Sequence, residues 1–476
     1  MASVLEKTIR TVVGKGVVKV AAFNRDRMKP LAAPHPFLSG IHTPMTGEHT
    51  ITDLTVTGTI PPELDGRYIR IGPNPVTPPN PAAYHWFVGD GMVHGISLKD
   101  GKALWYRNRW IRSNVVSAAL GEAPAPGPRK RSDTVNTNVL GHAGATWALV
   151  EAGGNPVRID EELNTIAHDP FGDTLEGSFT AHPHLDPLTG EMHAICYDAT
   201  QPTLIRHVVV DQAGKVRREE PITVAHGPSI HDCAITANYV LIFDLPVTFS
   251  MKTLIDGHAF PYTWNPDHKA RVGLLPREGK DADIIWCDVD PAYVFHPCNA
   301  YETPDGKVIV DVAAHDHMFA DSLLGPESTK TPFERWTIDA VTRKVSRTVI
   351  DAERQEFPRL DERRLGQSYR YAYTMALPET ATPNAFSDHK LYKHDLEANT
   401  KQTHDFGPTR FPGEFVFVPR GSGEDEGWLM GYVVDTATET TDLVIIDAQN
   451  FDGQPQAVVT IPHRIPPGFH GNWVPN

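Results

Sequence analysis

Short extended runs separated by tight turns recur from about residue 50 to the end of the chain. Typical runs are "GRYIRIG", "GKVIVDVAAH" and "TTDLVIIDAQ", and turns such as "DPLTGE" and "TPDG" are rich in residues that reverse the chain direction. No long helical period recurs between these runs, which argues against a parallel α/β sheet. The composition agrees, because 41 prolines and 37 glycines in 476 residues favour turns and short strands.

Strand-sized runs at intervals of about 8–12 residues indicate a sandwich, a barrel or a propeller. A single all-β, seven-bladed β-propeller suits the length, at roughly 60 residues per blade. No Pro-rich or Gly/Ser-rich linker divides the chain cleanly. We therefore predict one catalytic domain over residues 49–476, preceded by an N-terminal arm over residues 1–48.

The overall charge and the cysteines limit the partners and the compartment. A net charge of −15 argues against nucleic acid as a partner, because phosphate binding needs a basic face. The four cysteines are scattered without CxxC spacing, so we expect neither a disulfide framework nor a zinc ribbon. With no apolar run of about 18 residues and no signal-peptide pattern, we expect a cytoplasmic protein.

The N-terminal arm differs from the acidic remainder because it is basic and amphipathic. Its basic and apolar side chains are Lys7, Arg10, Lys15, Lys19, Arg25 and Arg27 with Leu5, Ile9, Val12, Val13, Val17 and Val20. One interpretation is an amphipathic helix packed on the body of the protein. The other is peripheral contact with a membrane, from which an apolar substrate is collected.

Four of the 23 histidines follow small or apolar residues near predicted strand ends, namely His182, His231, His296 and His470. They are remote in sequence, and a propeller axis is a place where strands of remote blades meet. A buried imidazole needs partners for both nitrogens, and a metal with a carboxylate can supply them. Carboxylates in similarly apolar segments are Glu151, Glu356 and Glu414.

Nine segments, taken together and in this order, resemble a bacterial-type member of the carotenoid cleavage oxygenase family. They are "LDGRYIRIGPNP", "HWFVGDGMVHG", "VNTNVLGHAG", "TAHPHLDPLTGE", "IHDCAIT", "VFHPCNAYE", "EFPRLDERRLGQSYRYAY", "GEFVFVPR" and "FHGNW". The resemblance covers nearly all of the chain from about residue 50, and it implies a seven-bladed propeller with a cap built from loops over an iron site.

The resemblance also implies one Fe(II) per chain, bound by His182, His231, His296 and His470. In the family, glutamates matching Glu151, Glu356 and Glu414 hydrogen-bond to three of the ligands, which we expect to be His231, His296 and His470. Thr137 matches a threonine whose methyl group shields one open iron position. His184 falls outside the ligand set and is predicted to be a loop residue. The oxidant implied is O2, and no GxGxxG fingerprint suggests a nicotinamide or flavin cofactor.

The implied reaction is oxidative cleavage of one C=C bond in a conjugated apolar substrate, giving two carbonyl products. Apocarotenoids or carotenoids are one substrate class, with Trp86 and Phe87 among the aromatic residues expected to contact them. Stilbenes and propenylphenols are the alternative, because a branch of the family holds their phenol oxygen with a Tyr and a Lys. Tyr106 is the candidate for that Tyr, whereas Ala145 and Val150 occupy the places where a Lys would be expected.

Two further alternatives remain open at the level of sequence. One is a non-enzymatic binding scaffold with structural histidines, which the complete set of matched residues disfavours. The other is isomerisation without oxygen, as in the retinoid branch of the family, which has no support from these residues.

Overall fold

A computed structural model describes residues 16–130, 132–379 and 387–476. Helices are few in these ranges: α1 (16–25), α2 (Asn114–Leu120) and α3 (Met251–Ile255). The short 3₁₀ helices are Pro36–Leu38, Gly40–His42, Trp86–Val88, Asp281–Asp283, Glu362–Arg364 and Ala448–Asn450. The rest of the regular structure is β, which confirms the all-β class.

The strands follow one another in short steps along the chain. The first are β1 (Thr50–Ile51), β2 (Thr55–Gly58), β3 (Gly66–Pro73), β4 (Gly91–Lys99), β5 (Lys102–Trp110), β6 (Asn138–His142), β7 (Ala145–Leu149), β8 (Val157–Ile159), β9 (Thr165–His168), β10 (His184–Leu185) and β11 (Met192–Tyr197). Next come β12 (Leu204–Val210), β13 (Val216–Thr223), β14 (Cys233–Ile235), β15 (Tyr239–Asp244), β16 (Val247–Phe249), β17 (Tyr262–Trp264), β18 (Arg271–Pro276), β19 (Ile285–Asp288), β20 (Tyr293–Glu302), β21 (Val308–His315) and β22 (Phe333–Asp339). The last are β23 (Lys344–Asp351), β24 (Gln355–Arg359), β25 (Tyr371–Ala376), β26 (Lys390–Asp395), β27 (Thr400–Asp405), β28 (Arg410–Pro412), β29 (Val416–Pro419), β30 (Gly427–Asp435), β31 (Thr440–Asp447), β32 (Ala457–Ile461) and β33 (Gly471–Pro475).

The strands form a propeller of antiparallel sheets. Six continuous sheets within the described ranges have four or more strands, one fewer than the seven blades predicted. The difference arises because a single parallel pair, Asp288 with Lys344, joins two antiparallel units into one eight-stranded sheet. Divided at that pair into β14-β15-β18-β19 and β20–β23, the described strands make seven blade-sized units.

Both ends of the chain complete sheets begun elsewhere in the sequence. The early strand β2 pairs with β32, and the last strand, β33, pairs with β3. Near-continuous apolar runs such as "WLMGYVV" in β30 are buried on both faces, because each blade packs against two neighbours. The cores therefore lie between blades, as where Tyr68 of β3 packs with Met430 of β30 and Leu443 of β31.

Long connections form a cap at one end of the propeller. They link β3 to β4, β15 to β18 and β21 to β22, and they carry the 3₁₀ helix Trp86–Val88, helix α3 and the hairpin β16–β17. Residues of all three connections, including Phe87, Phe260 and Met318, line a cavity shared with candidate metal ligands. The cap therefore covers the site described below.

Within the N-terminal arm, helix α1 is tied to the last residue of α3 and to the connection that follows α3. The side chain of Asn24 donates to the carbonyl of Ile255 (2.7 Å), and Arg25 Nε donates to the carbonyl of Gly257 (2.9 Å). Residues 1–15 of the predicted amphipathic segment lie outside the described residues. The division at residue 48 stays a prediction. Within the described ranges, no helix has the length and apolar character needed to span a bilayer.

Candidate metal centre

The four candidate histidines lie at or near the beginning of an edge strand in four different units. They precede β10 (His182), β14 (His231) and β33 (His470) or lie in β20 (His296). The ladder between β20 and β21 shifts register from Val294 to Pro297, and a bulge of this kind re-aims the side chain within it. Chain segments far apart in sequence thus present their imidazoles to one point on the propeller axis.

The imidazole nitrogens converge closely. One ligand nitrogen from each of the four rings lies within 4.8 Å of the other three, and all four residues are buried. The Nε2 atoms of His231 and His296 are 3.3 Å apart, while Nε2 of His182 has no hydrogen-bond partner. A pocket enclosed by four imidazole nitrogens, one of them unsatisfied, fits a metal ion that accepts nitrogen ligands.

Two of the four rings, those of His182 and His470, are held in the neutral form. Burial, reinforced by the neighbouring imidazoles, holds the pKa of His182 well below its usual value. Burial likewise lowers the pKa of His470 to about 4, against the opposing effect of Glu414. Both rings are therefore neutral at pH 7, as a metal ligand must be.

The remaining three units each supply a carboxylate that contacts a ligand histidine. The Nδ1–carboxylate distances are 2.8 Å (His231 to Glu151), 2.6 Å (His296 to Glu356) and 3.0 Å (His470 to Glu414). Burial raises the pKa of these carboxyls, but the hydrogen-bonded histidines and, at Glu414, the Arg359 guanidinium outweigh it, so the pKa values fall below the usual range. An ionised carboxylate on Nδ1 directs Nε2 towards the centre. The structure thus joins the three predicted glutamates to the three histidines expected for them.

Glu414 also anchors the C-terminal tail. Its Oε2 accepts from the backbone N–H of Gly471 (2.9 Å), and its Oε1 lies 3.0 Å from Nε of Arg359. Arg359 in turn donates to the carbonyl of Gly471 (2.6 Å). The last strand is therefore held through both the N–H and the carbonyl of Gly471, the residue that follows His470.

The fourth ligand faces a carboxylate that sequence reasoning missed. Asp232 Oδ2 lies 3.5 Å from Nδ1 of His182, and Asp232 Oδ1 lies 2.7 Å from Nε2 of His184. The prediction that His184 is a loop residue was wrong, because it begins strand β10 and pairs with this buried carboxylate. The available signal was the acidic residue directly after His231 in "IHDC".

Thr137 lies directly before β6 and lines the cavity beneath the loop cap. Its carbonyl accepts from the backbone N–H of His470 (3.1 Å), so it lies beside a candidate ligand. Its hydroxyl donates to Oδ1 of Asn136 (2.8 Å). Because the hydroxyl group is already hydrogen-bonded, the methyl group is the part of the Thr137 side chain that is free to face the metal centre. That it shields one open iron position stays a prediction.

A largely apolar cavity of about 380 Å³ adjoins the four-histidine centre and is lined by His231, His296 and His470. Its aromatic wall contains Phe37, Trp86, Phe87, Phe260, Phe295 and Phe469. Trp86 and Phe87 thus line the cavity, and their contact with a substrate stays a prediction. No lysine is found among the described residues of the wall, and Val150, at one of the two places where a lysine was sought, is part of it.

Tyr106 does not reach this cavity, so its prediction as a substrate contact was wrong. It is fully buried in the core between blades, in contact with the cluster that contains Tyr68 and Met430. Its hydroxyl lies 3.0 Å from Nδ1 of His94. From Tyr106 to the end of β5, every second residue is buried, and the register of Tyr106 turns its side chain into that core.

Comparison with known proteins identifies the family. The model of the family described as retinal pigment epithelial membrane protein matches residues 42–475. The chain is 41% identical to a carotenoid cleavage oxygenase of Mycobacterium tuberculosis, over 93% of this chain and 98% of that protein. The chain belongs to the carotenoid oxygenase family.

Solved structures of similar fold agree with this carotenoid oxygenase assignment. The cobalt-substituted apocarotenoid oxygenase of Synechocystis has a TM-score of 0.82 and 26% identity, covering 93% of this chain and 99% of that one. The lignostilbene dioxygenase of Pseudomonas brassicacearum has a TM-score of 0.83 and 26% identity, covering 94% and 100%. Carotenoid oxygenases depend on iron, and the four converging imidazoles of this member fit Fe(II).

Proposed function

We propose that this enzyme is an Fe(II)-dependent dioxygenase that cleaves one C=C bond of an apocarotenoid or carotenoid. One oxygen atom of O2 is added to each alkene carbon, and the two products are carbonyl compounds. The observation that carries the proposal is the contact between a buried four-histidine centre and an apolar, aromatic cavity. The 41% identity to a carotenoid cleavage oxygenase supports the choice of substrate class.

In this proposal the residues of the chain bind, orient and shield. His182, His231, His296 and His470 would hold Fe(II), which when bound would share electrons with triplet O2 and so allow it to react with a closed-shell alkene. Glu151, Glu356 and Glu414 fix three of the rings through Nδ1 and offset part of the positive charge. The methyl group of Thr137, beside His470, would shield one of the open positions on the iron.

The cavity wall positions the alkene and excludes water. Trp86 and Phe87 pack against other aromatic rings, with Trp86 stacked on Phe37 at 4.9 Å between centroids and Phe87 meeting Phe295 at 5.9 Å. Rings held in this way present rigid apolar faces to a conjugated chain. A dry wall also protects a reactive site from hydrolytic side reactions.

A second candidate is the same chemistry on a stilbene or propenylphenol. The structural similarity to a lignostilbene dioxygenase favours it. The lack of a lysine among the described wall residues and the position of Tyr106 in the core weigh against it. Apocarotenoids are therefore the preferred substrate class.

A substrate panel tests both candidates. Purified enzyme containing iron is incubated with an apocarotenal, a stilbene and a propenylphenol, under air and under nitrogen, with aldehydes detected by mass spectrometry. We expect products from the apocarotenal under air only. When ¹⁸O2 replaces air, both carbonyl products should carry the label. Products formed equally well under nitrogen, or from the phenolic alkenes alone, would contradict the proposal.

The metal assignment has its own matched pair of variants. His296→Ala removes a ligand, whereas His193→Ala removes a buried histidine of β11 that contacts His207 rather than the centre. We expect His296→Ala to lose iron and activity while His193→Ala keeps both. Full retention of iron by His296→Ala would contradict the assignment of His296 as a metal ligand.

We further propose that the enzyme is cytoplasmic and touches membranes peripherally through helix α1. Exposed apolar side chains of this helix are Val18 (43%), Val20 (48%) and Phe23 (55%). The helix is bonded to the end of α3 and to the segment after it, and Ala259 and Phe260 of that segment line the cavity. The four buried, unpaired cysteines are in keeping with a reducing compartment.

Vesicle sedimentation tests this contact. We expect the wild type to pellet with vesicles of phosphatidylcholine and phosphatidylglycerol, and Phe23→Asp to stay in the supernatant while cleaving a detergent-dispersed substrate normally. The control is Val341→Asp, which places the same charge on an exposed turn remote from α1 in sequence. Equal pelleting of Phe23→Asp and wild type would refute the role of α1.

A further inference from the structure

The three glutamates that contact ligand histidines differ in what holds their second carboxylate oxygen. At Glu356 this partner is His315, whose Nε2 lies 2.9 Å from Oε1. At Glu414 it is the backbone N–H of Gly471, which donates to Oε2 (2.9 Å). Glu151 needs an equivalent partner, because a buried carboxylate oxygen without a donor is costly and leaves the group free to turn.

The second oxygen of Glu151 is held by a tyrosine hydroxyl group. Tyr197, the last residue of β11, donates to Oε2 of Glu151 (2.7 Å), while Oε1 of the same carboxylate lies 2.8 Å from Nδ1 of His231. Among the described residues, no further group hydrogen-bonds to this carboxylate. The orientation of Glu151 towards His231 therefore depends on one hydroxyl group.

The hydroxyl group of Tyr197 is itself fixed by a chain of buried hydroxyl groups. Its oxygen lies 3.1 Å from Oγ of Ser229, and the hydroxyl of Tyr293 donates to the carbonyl of Ser229 (3.1 Å). Because the single proton of Tyr197 is donated to Glu151, Ser229 is the donor in the bond between Ser229 and Tyr197. The chain therefore runs in one direction, from Tyr293 through Ser229 and Tyr197 to the carboxylate.

The same tyrosine is part of the cavity wall. Tyr197 and Glu151 both line the cavity, and the ring of Tyr197 meets that of Tyr262, in the cap hairpin, at 5.9 Å between centroids. One side chain thus has an aromatic ring at the cavity and a hydroxyl group on the carboxylate beside the metal centre. Phenylalanine keeps the ring and removes only the hydroxyl group, so an exchange can separate the two contacts.

We infer that Tyr197 is a positioning residue that acts on the metal centre through Glu151 and His231. By donating to Oε2, it keeps the carboxylate turned so that Oε1 faces Nδ1 of His231, which directs Nε2 of that ring towards the centre. The inference rests on the proposed function, since it requires that the four histidines hold Fe(II).

The test is a double-mutant cycle on Fe(II) affinity, which needs no substrate. Wild type, Tyr197→Phe, Glu151→Ala and the double variant compete anaerobically with a chromogenic chelator for Fe(II). We expect Tyr197→Phe to lower the affinity about tenfold, the lower end of the usual loss for a group behind a metal ligand. When Glu151 is already alanine, the same exchange should change the affinity less than about twofold, because the side chain through which Tyr197 acts is gone.

The control is Tyr293→Phe, the same exchange at a buried tyrosine of β20 whose hydroxyl bonds to Ser229 rather than to Glu151. We expect it to keep the wild-type affinity. Cobalt(II) in place of iron gives a second readout, because its visible absorption bands depend on the geometry of its ligands. The bands should shift for Tyr197→Phe and stay unchanged for Tyr293→Phe, while thermal unfolding of the metal-free proteins shows that both variants fold.

The outcomes separate this inference from the proposed function. A wild type that binds no Fe(II) overturns both together. If wild type binds Fe(II), an unchanged affinity of Tyr197→Phe, an equal loss in Tyr293→Phe, or additive losses in the double variant overturns the role of Tyr197 alone. If Glu151→Ala does not fold, the comparison of Tyr197→Phe with Tyr293→Phe decides.

Discussion

Glu356 is the carboxylate whose removal should weaken the metal centre most clearly. It lies in β24 and bridges two imidazoles, with Oε2 2.6 Å from Nδ1 of His296 and Oε1 2.9 Å from Nε2 of His315. Glu356→Gln keeps the shape of the side chain and removes its charge. The expected result is weaker metal binding by a protein that still folds.

The magnitude follows from these contacts. A hydrogen bond to a charged group contributes about 1.5–3 kcal/mol, roughly twice its neutral equivalent. Replacing the charge at His296 therefore costs about 1–1.5 kcal/mol, and looser support through His315 adds to it. At 1.4 kcal/mol per factor of ten, we expect metal affinity to fall about 10-fold to 100-fold, the usual effect of losing such a partner.

The assay is an anaerobic competition for Fe(II) between the protein and a chromogenic chelator, with thermal unfolding of the metal-free protein measured in parallel. The matched control is Glu334→Gln, because Glu334 is equally buried but pairs with Arg347 and Trp336, away from the centre. A dissociation constant for Glu356→Gln within twofold of wild type would refute the orienting role of this carboxylate.

Three further predictions concern other parts of the molecule. Asp232→Asn should lower Fe(II) affinity several-fold in the same competition assay, because it removes the charge beside His182; unchanged affinity would show that 3.5 Å is too far to matter. Gly72→Ala should lower the melting temperature by several degrees, because the added Cβ would lie 2.5 Å from Cα of Gly468 and displace the tail; an unchanged melting temperature would contradict that contact. Burial lowers the pKa of His193 from 6.5 to about 4, so its neutral ring contributes stability above pH 6.5 that is lost as the pH falls towards 4. Between pH 7 and pH 4, the free energy of unfolding measured in urea should therefore fall less for His193→Asn than for wild type. An equal fall in the two proteins would refute this role of His193.

Several features were predictable from the sequence because they depend on local patterns. Alternating runs and turn residues indicated short antiparallel strands, and their spacing indicated a sandwich, a barrel or a propeller, of which the propeller suited the length. His182, His231, His296 and His470 were recognisable by similar surroundings and by the family segments around them. The glutamates were recognisable for the same reason, since each lies in an apolar segment of its own.

Other features depended on which strands become neighbours. Tyr106 shows this, because alternation says that every second side chain of β5 is buried but not whether it faces a cavity or a core. His184 and Asp232 belong to different units, so "IHDC" offers a carboxylate but neither segment alone says which histidine it contacts.

The sequence by itself determined the strand pattern, the family and the residue types available for a metal centre. Only the tertiary structure decided how those residues meet: Glu356 between His296 and His315, and Asp232 between His182 and His184. The physical reason is that strand formation depends on neighbouring residues, whereas a binding site depends on distances between segments that are far apart in the chain. Sheet register, blade packing and loop closure set those distances.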